Sequence, residues 1–185
     1  MECEFNHNTT NGVGFNGERN IAINNTANYN DSAGFNIAAN MFLIGNHAEG
    51  NGGAGAALNT DQSFFFRNLI KENATGGFLL AANSKNNLFF QDHITENGGV
   101  GTELTNSDAN RIIQGKAKKN AGDGIALRTG STGNIIDNNE IEDNDGVGLR
   151  FDAGADNNAA RGNELDDDNI INNGLNNVID GNDID

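Results

Sequence analysis

The sequence predicts an all-β fold: a single-stranded parallel β-helix with three parallel sheets and about eight coils, formed by residues 1–185 as one domain. Three observations predict it. An eleven-residue phrase recurs from end to end of the chain, at a period of roughly 20 to 25 residues, which marks a solenoid. Between its copies lies a second unit, a Gly followed by a short run in which apolar and polar residues alternate. No stretch sustains the i, i+3, i+4, i+7 spacing of an amphipathic helix.

Six copies of the phrase start at Asn20, Met41, Ser63, Asn87, Asn110 and Asn134, reading NIAINNTANYN, MFLIGNHAEGN, SFFFRNLIKEN, NLFFQDHITEN, NRIIQGKAKKN and NIIDNNEIEDN. Weaker copies start at Met1 and Asn158, and a short one at Asn177. Position 3 is apolar, position 6 usually Asn, position 8 usually apolar, and position 11 Asn or Asp. Each phrase therefore holds two short strands. The Gly-led run supplies a third, as in Gly34-Phe35-Asn36-Ile37, Gly77-Phe78-Leu79-Leu80, Gly124-Ile125-Ala126-Leu127 and Gly148-Leu149-Arg150-Phe151. Three short strands per repeat bury their inward side chains only by stacking, each on its equivalent about 4.8 Å along the axis. The predicted interior is Phe35, Ile37, Leu43, Leu58, Phe65, Ile70, Phe78, Leu80, Phe89, Ile94, Leu104, Ile112, Ile125, Leu127, Ile136, Ile141, Leu149 and Phe151. The Asn residues at positions 6 and 11 are expected to take the left-handed backbone of sharp corners, with their amides bonded to the coils above and below.

The phrase N-x-Φ-x-x-N-x-Φ-x-x-N followed by G-Φ-x-Φ (Φ apolar) resembles the right-handed parallel β-helix repeats of the pectate-lyase-like superfamily. Such repeats occur in polysaccharide lyases, alginate epimerases, copper-loading periplasmic proteins and many surface proteins. The resemblance covers essentially the whole chain and implies right-handed winding, in keeping with the hand of β crossovers. It implies little about activity, because the repeats are structural and function sits in grafted sites. The Asp-Pro-His-Asp signature of the epimerases and the Pro-containing motif of the pectate lyases are excluded in a chain without proline. The Gly-His-Gly of polygalacturonases is absent too, and Gly122-Asp123-Gly124 reads as an ordinary tight corner.

Composition narrows the field further. A net charge of −15 and a pI near 4.3 argue against nucleic acid as a partner. The apolar runs are too short to cross a membrane, and the start carries no secretion signal. The lone Cys3 excludes an internal disulfide and, at an inward position 3, is expected to be buried. About a fifth of the chain is Asn, but its fixed spacing against apolar residues separates it from disordered Asn-rich tracts.

Four features carry candidate chemistry. Glu103, Arg128, Arg150 and Asp152 fall on three consecutive coils of the Gly-led sheet, where carboxylates beside arginines are candidates for binding an acidic sugar or abstracting its proton. A surface salt-bridge ladder is the plainer reading of the same four. His7, His47 and His93 are assigned to position 7 on alternate coils, about 10 Å apart, too far for a shared metal. Glu140, Glu142 and Asp143 are expected to stack against Glu164, Asp166 and Asp167, where Ca2+ would relieve the repulsion; no calcium-loop motif is present. Finally, positions 2 and 4 flank the inward position 3 and should face out. They hold Ile21, Ile23, Phe42, Ile44, Phe64, Phe66, Leu88, Phe90 and Ile113. This stripe is about 20 Å long, more than a monomer ordinarily leaves bare, and points to a homo-oligomer, a further segment of the parent protein or another partner.

The chain opens and stops in mid-phrase, so a fragment without caps is expected. The expected function is a non-catalytic scaffold or binding module of an extracellular, carbohydrate-associated protein, with polysaccharide as its partner. A lyase or epimerase acting on an acidic glycan, and a self-assembling structural β-helix, are the alternatives.

Overall fold

A computed structural model of the chain describes residues 2–166 and 169–184. The described residues form short strands and no helix. The strands assemble into three sheets of eight, all paired in parallel, each strand bonded to its equivalents one coil before and after. The first sheet takes the Gly-led runs, such as Phe35–Ile37, Gly76–Leu80 and Leu149–Phe151. The second takes phrase positions around 3, such as Phe64–Phe66 and Leu88–Phe90, and the third those around 8, such as Leu69–Lys71 and His93–Thr95. Register is like upon like: Leu43, Phe65, Phe89 and Ile112 stack in one inward column. Every residue predicted to be interior is buried. At the centre, the Phe65 and Phe89 rings stack 4.5 Å apart, with Phe78 packed against both.

The corners differ from expectation in one respect. Left-handed residues stand immediately before the recurrent asparagines instead: Asn24, Arg67, Gln91, Gln114 and Asn138 at position 5, Tyr29, Glu72, Glu96, Lys119 and Asp143 at position 10, and Gln62, Asn86, Ala109 and Asn157 before position 1. That kink turns the following Asn inward. Asn30, Asn51, Asn73, Asn97 and Asn120 are all buried, and each Oδ1 accepts from the backbone N–H and the Nδ2 of its counterpart one coil earlier. Each Nδ2 also donates to a main-chain carbonyl, as Asn51 does to Ala27 at 2.8 Å. The buried amides thereby satisfy one another and the corner backbone, which would otherwise cost about 1–3 kcal/mol per orphaned group.

Three such ladders run along the helix. The position-11 ladder extends from Asn8 to Asn144. A second, at position 1, runs through Ser63, Asn87, Asn110, Asn134, Asn158 and Asn177; the sequence pattern did not single it out. The third is at position 6 and fixes the register of the first coil. Cys3 N donates to Asn25 Oδ1, so Cys3 occupies a position-6 rung and is half-buried rather than buried at position 3. His7 accordingly falls at the position-10 corner, with φ 57°, stacked on Tyr29 at 5.5 Å. The copy read from Met1 is therefore displaced by three residues, because a terminal coil with weak apolar phase offers only its hydrogen bonds to set register.

The position-6 ladder has two adjacent exceptions. Asn68 donates to Asp92 Oδ1, but the next rung is Gly115, which has no side chain. A small cavity of about 10 Å3 opens there, lined in part by Asp92, Ile94, Gly115, Ala117 and Asn139. Asp92 is 4% exposed and its Oδ2 has no partner. Burial pushes this carboxyl up to about 7 against the opposing Asn68 and Phe90 hydrogen bonds. The folded state thus holds the proton more tightly than the unfolded chain, so stability falls as pH rises from the ordinary value of 3.8 towards 7 and levels off above it. Asp92→Asn removes this dependence. Its Nδ2 would donate to a main-chain carbonyl at its own rung, as Asn68 Nδ2 and Asn139 Nδ2 donate to Leu43 O and Ile112 O. Thermal melts should show the variant more stable than the parent at pH 8, with a flatter profile between pH 5 and 8; equal slopes would refute the assignment.

Candidate functional site

The four residues singled out on the first sheet do come together, around a fifth. Arg128, at the end of Ile125–Leu127, donates from Nε to Glu103 Oε2 at 2.9 Å and from Nη1 to Asp152 Oδ2 at 3.4 Å. Arg150 does not join them directly. It forms a bidentate pair with Asp123, at 2.8 and 3.1 Å, and Asp123 Oδ2 also lies 3.5 Å from Arg128. Asp123 is the buried hub, 6% exposed, and its Oδ1 accepts the Val147 N–H. Burial works to raise its carboxyl; Arg150, the Val147 N–H and Arg128 outweigh that and hold it below the usual range. Nothing in the Gly122-Asp123-Gly124 tripeptide marked this role. The available signal was an arginine, Arg150, one coil further on.

The network is closed. Arg128 meets three carboxylates, and Arg150 is spent on the most buried of them. Neither guanidinium is left facing outward without an acid, so the cluster braces three coils of the first sheet. Arg150→Met strands the Asp123 carboxylate and should cost about 1–3 kcal/mol at pH 7. The loss should shrink at pH 3, where Asp123 of the variant can take up a proton. Denaturant unfolding at both pH values checks this, and an equal loss at both would contradict it.

Two open clefts adjoin this face. One, of about 420 Å3, lies along the outer surface of the first sheet over Asn36, Ala57, Leu79 and Glu103. The other, of about 570 Å3, sits at the corner leading to the second sheet and shares Asn59 with the first. Its wall carries Asn16, Glu18, Asn40, Asn59, Asp61, Gln62 and Asn83. Asn40 and Asp61 accept backbone N–H groups of Arg19 and Lys85. Among the described residues, the side chains of Asn16, Asn59, Gln62 and Asn83 make no hydrogen bond within the protein.

The acidic residues proposed for calcium stack as expected, Glu140 beside Glu164 and Glu142 beside Asp166, but lysines of the coil before also reach Glu140 and Glu142. Glu140 and Glu142 stack on Lys116 and Lys118 of the preceding coil; Glu140 pairs with both lysines and Glu142 with Lys118 at 2.7 Å. Burial works to raise the Glu140 carboxyl, but the two lysines bring it down to about 2. Glu164 and Asp166 follow in register and are exposed, and Asp143 sits at a left-handed corner. Asp167 lies outside the described residues. Among the described residues no three His, Cys, Asp or Glu side chains gather as a metal site.

The apolar stripe faces outward as expected, in two columns on the second sheet: Ile21, Phe42, Phe64 and Leu88, and beside them Ile23, Ile44, Phe66, Phe90 and Ile113. Only Ile21, Ile23 and Phe42 are exposed, and the others are half-buried. The middle covers itself, with Phe66 stacked between Phe64 and Phe90 at 5.7 Å on each side. His47 lies 3.0 Å from Glu49, and His93 projects from the third sheet.

With that geometry in view, two family profiles match the chain: the right handed beta helix region over residues 1–117, and the periplasmic copper-binding protein (NosD) over residues 77–184. The chain belongs to the right-handed parallel β-helix repeat proteins. A search of curated protein sequences finds no match. Among solved structures, the mannuronan C-5 epimerase AlgE6 A-module of Azotobacter vinelandii is similar at 19% identity and a TM-score of 0.82, over 98% of this chain and 56% of that one. A mutant of the periplasmic alginate epimerase AlgG is similar at 21% identity and 0.80, over 89% and 45%. The AlgE4 A-module gives 16% and 0.67, over 100% and 55%. The chain spans about half the length of these proteins, and at such identity the likeness is one of fold.

Copper, named by one of these families, needs soft donors brought together. Cys3 is half-buried in the first coil, His7 stacks on Tyr29, His47 approaches Glu49 and Met41 is buried. Cys3 and His7 share one coil and Met41 and His47 another, but at different corners or sheets of it, and the described residues form no group that fits copper.

Proposed function

We propose that this chain is a non-catalytic polysaccharide-binding module of a protein that works outside the cytoplasm. One observation carries the reading: two neighbouring clefts, on the first-sheet face and at the adjoining corner, that meet at Asn59 and are bordered by amides with free donors and acceptors. Sugar hydroxyls need partners that both donate and accept, and Asn and Gln offer both. Ala57 and Leu79 give the floor an apolar surface for sugar C–H groups, a mixed lining typical of ligand sites. The saturated Glu103–Arg128–Asp152–Asp123–Arg150 network argues against catalysis. Acidifying the proton beside a uronate carboxylate calls for a free cation, and here both arginines are held by acids. The polysaccharide neighbours and the periplasmic family name support the setting.

Retention of the chain on a panel of immobilised polysaccharides tests the proposal. At least one polysaccharide should retain it, and the double variant Asn59→Leu, Asn83→Leu should lose that retention while keeping its circular dichroism and melting point. Product analysis should find neither chain cleavage nor inversion of uronate residues. No retention, retention indifferent to the double variant, or any turnover would overturn the reading.

A further inference from the structure

The corner between the second and third sheets carries a second polar row, unrelated to the cleft. On three successive coils, position 5 is Arg67, Gln91 and Gln114. Arg67 donates from Nε to Gln91 Oε1 at 3.0 Å, and Gln91 donates from Nε2 to Gln114 Oε1 at 3.3 Å. The Arg67 guanidinium carbon also lies 4.7 Å from the centroid of the Phe66 ring. One edge of the guanidinium is therefore tied to an amide and one face to an aromatic ring. Its Nη groups have no partner among the described residues, and no carboxylate is paired with it. An open pocket of about 430 Å3 lies beside the row, lined by Arg67, Leu69, Gln91, His93 and Gln114.

The surrounding charge sharpens the point. The chain carries eleven Lys and Arg against 26 Asp and Glu, and eight of the eleven fall between Arg67 and Arg128. Lys71, Lys85, Lys116, Lys118 and Arg128 are each paired with acids. Arg67 is a cation left free of acids, tied to Gln91 and the Phe66 ring at the edge of a pocket. A planar fork with both Nη groups presented outward matches a carboxylate bidentately, as a lysine cannot. The Gln114 amide and the His93 imidazole stand where hydroxyls flanking that carboxylate would be met. Burial first, and then the charge of Lys116, depress His93, so its ring is neutral at pH 7 and both donates and accepts.

We infer that the Arg67–Gln91–Gln114 corner, with His93, is a binding site for a carboxylate-bearing sugar. The site stands apart from the amide cleft and needs only that the chain meet a glycan. The carboxylate is that of a uronate within a polysaccharide, and preference for a free sugar acid is an outcome of the test that would contradict it.

Calorimetry and NMR titration of the full chain would use four probes: an oligohexuronate, the free hexuronic acid, a neutral oligosaccharide and sodium sulfate. The oligohexuronate should bind with shifts at Gln91, His93 and Gln114, and more tightly than the free acid. Arg67→Gln should weaken it by roughly tenfold or more, and Arg67→Lys nearly as much, because the fork is lost. Both variants should melt like the parent, since Arg67 is exposed. Equal binding by Arg67→Gln, a free acid as tight as the oligomer, or displacement by equimolar sulfate would overturn the inference, the last marking an unspecific anion contact. Binding of the neutral oligosaccharide that Arg67→Gln leaves intact, without any uronate binding, would refute this site and leave the amide-cleft proposal standing. No binding of any glycan would sink both.

Discussion

The fold depends on buried asparagine amides that take the place of water at the corners. A chain that turns three times per coil strands its backbone polar groups at every corner, and here those groups face inward. An Asn side chain has the donor and acceptor needed to meet them, and its length matches the spacing between coils. Each Oδ1 receives both the N–H and the Nδ2 of the rung before it, so no rung is satisfied alone. This explains why Asn is so abundant in a protein with no need for flexibility. It also explains the left-handed residue before each rung, which aims the amide at the interior.

Once the corners and interior are fixed, the outward positions are free to vary, and the three faces have diverged. The first sheet carries a groove and a self-contained charge network. The second carries apolar side chains that largely cover one another. The third alternates lysines and acids in register, so that Lys116 and Lys118 neutralise Glu140 and Glu142. Such pairs offset part of the net charge of −15 locally. Function in such a molecule has to be sought in what the outward residues leave unsatisfied.

The sequence was informative where periodicity controls structure. The sheets, the interior and two of the amide ladders follow from the phrase, because a stacked coil amplifies any weak preference by repeating it. It was less informative where a single residue acts. Asp123 looked like a turn residue, since its partner Arg150 is 27 residues away and only stacking brings them together. The position-1 ladder was obscured by Met41 and Ser63, and the register of the first coil by its poor apolar pattern. The Arg67–Gln91–Gln114 row sits at a corner whose other residues are Asn and Gly, so nothing in the repeat set it apart. The stripe from Ile21 to Ile113 was correctly placed outside, but sequence does not show that Phe64, Phe66 and Phe90 stack on one another.

Asn97 is the rung at which the central role of the ladders is most directly measured. Its Oδ1 accepts from Asn73 N and Nδ2, and its Nδ2 donates to Ile70 O, Thr95 O and Asn120 Oδ1. Denaturant unfolding of Asn97→Leu, a substitution of similar size, compares that network with added apolar burial. If the amides hold the coils together, the variant loses about 3 kcal/mol or more, and the Asn73 amide exchanges with solvent much faster. A loss within about 0.5 kcal/mol, as for an ordinary surface change, would mean that the apolar interior alone supports the helix.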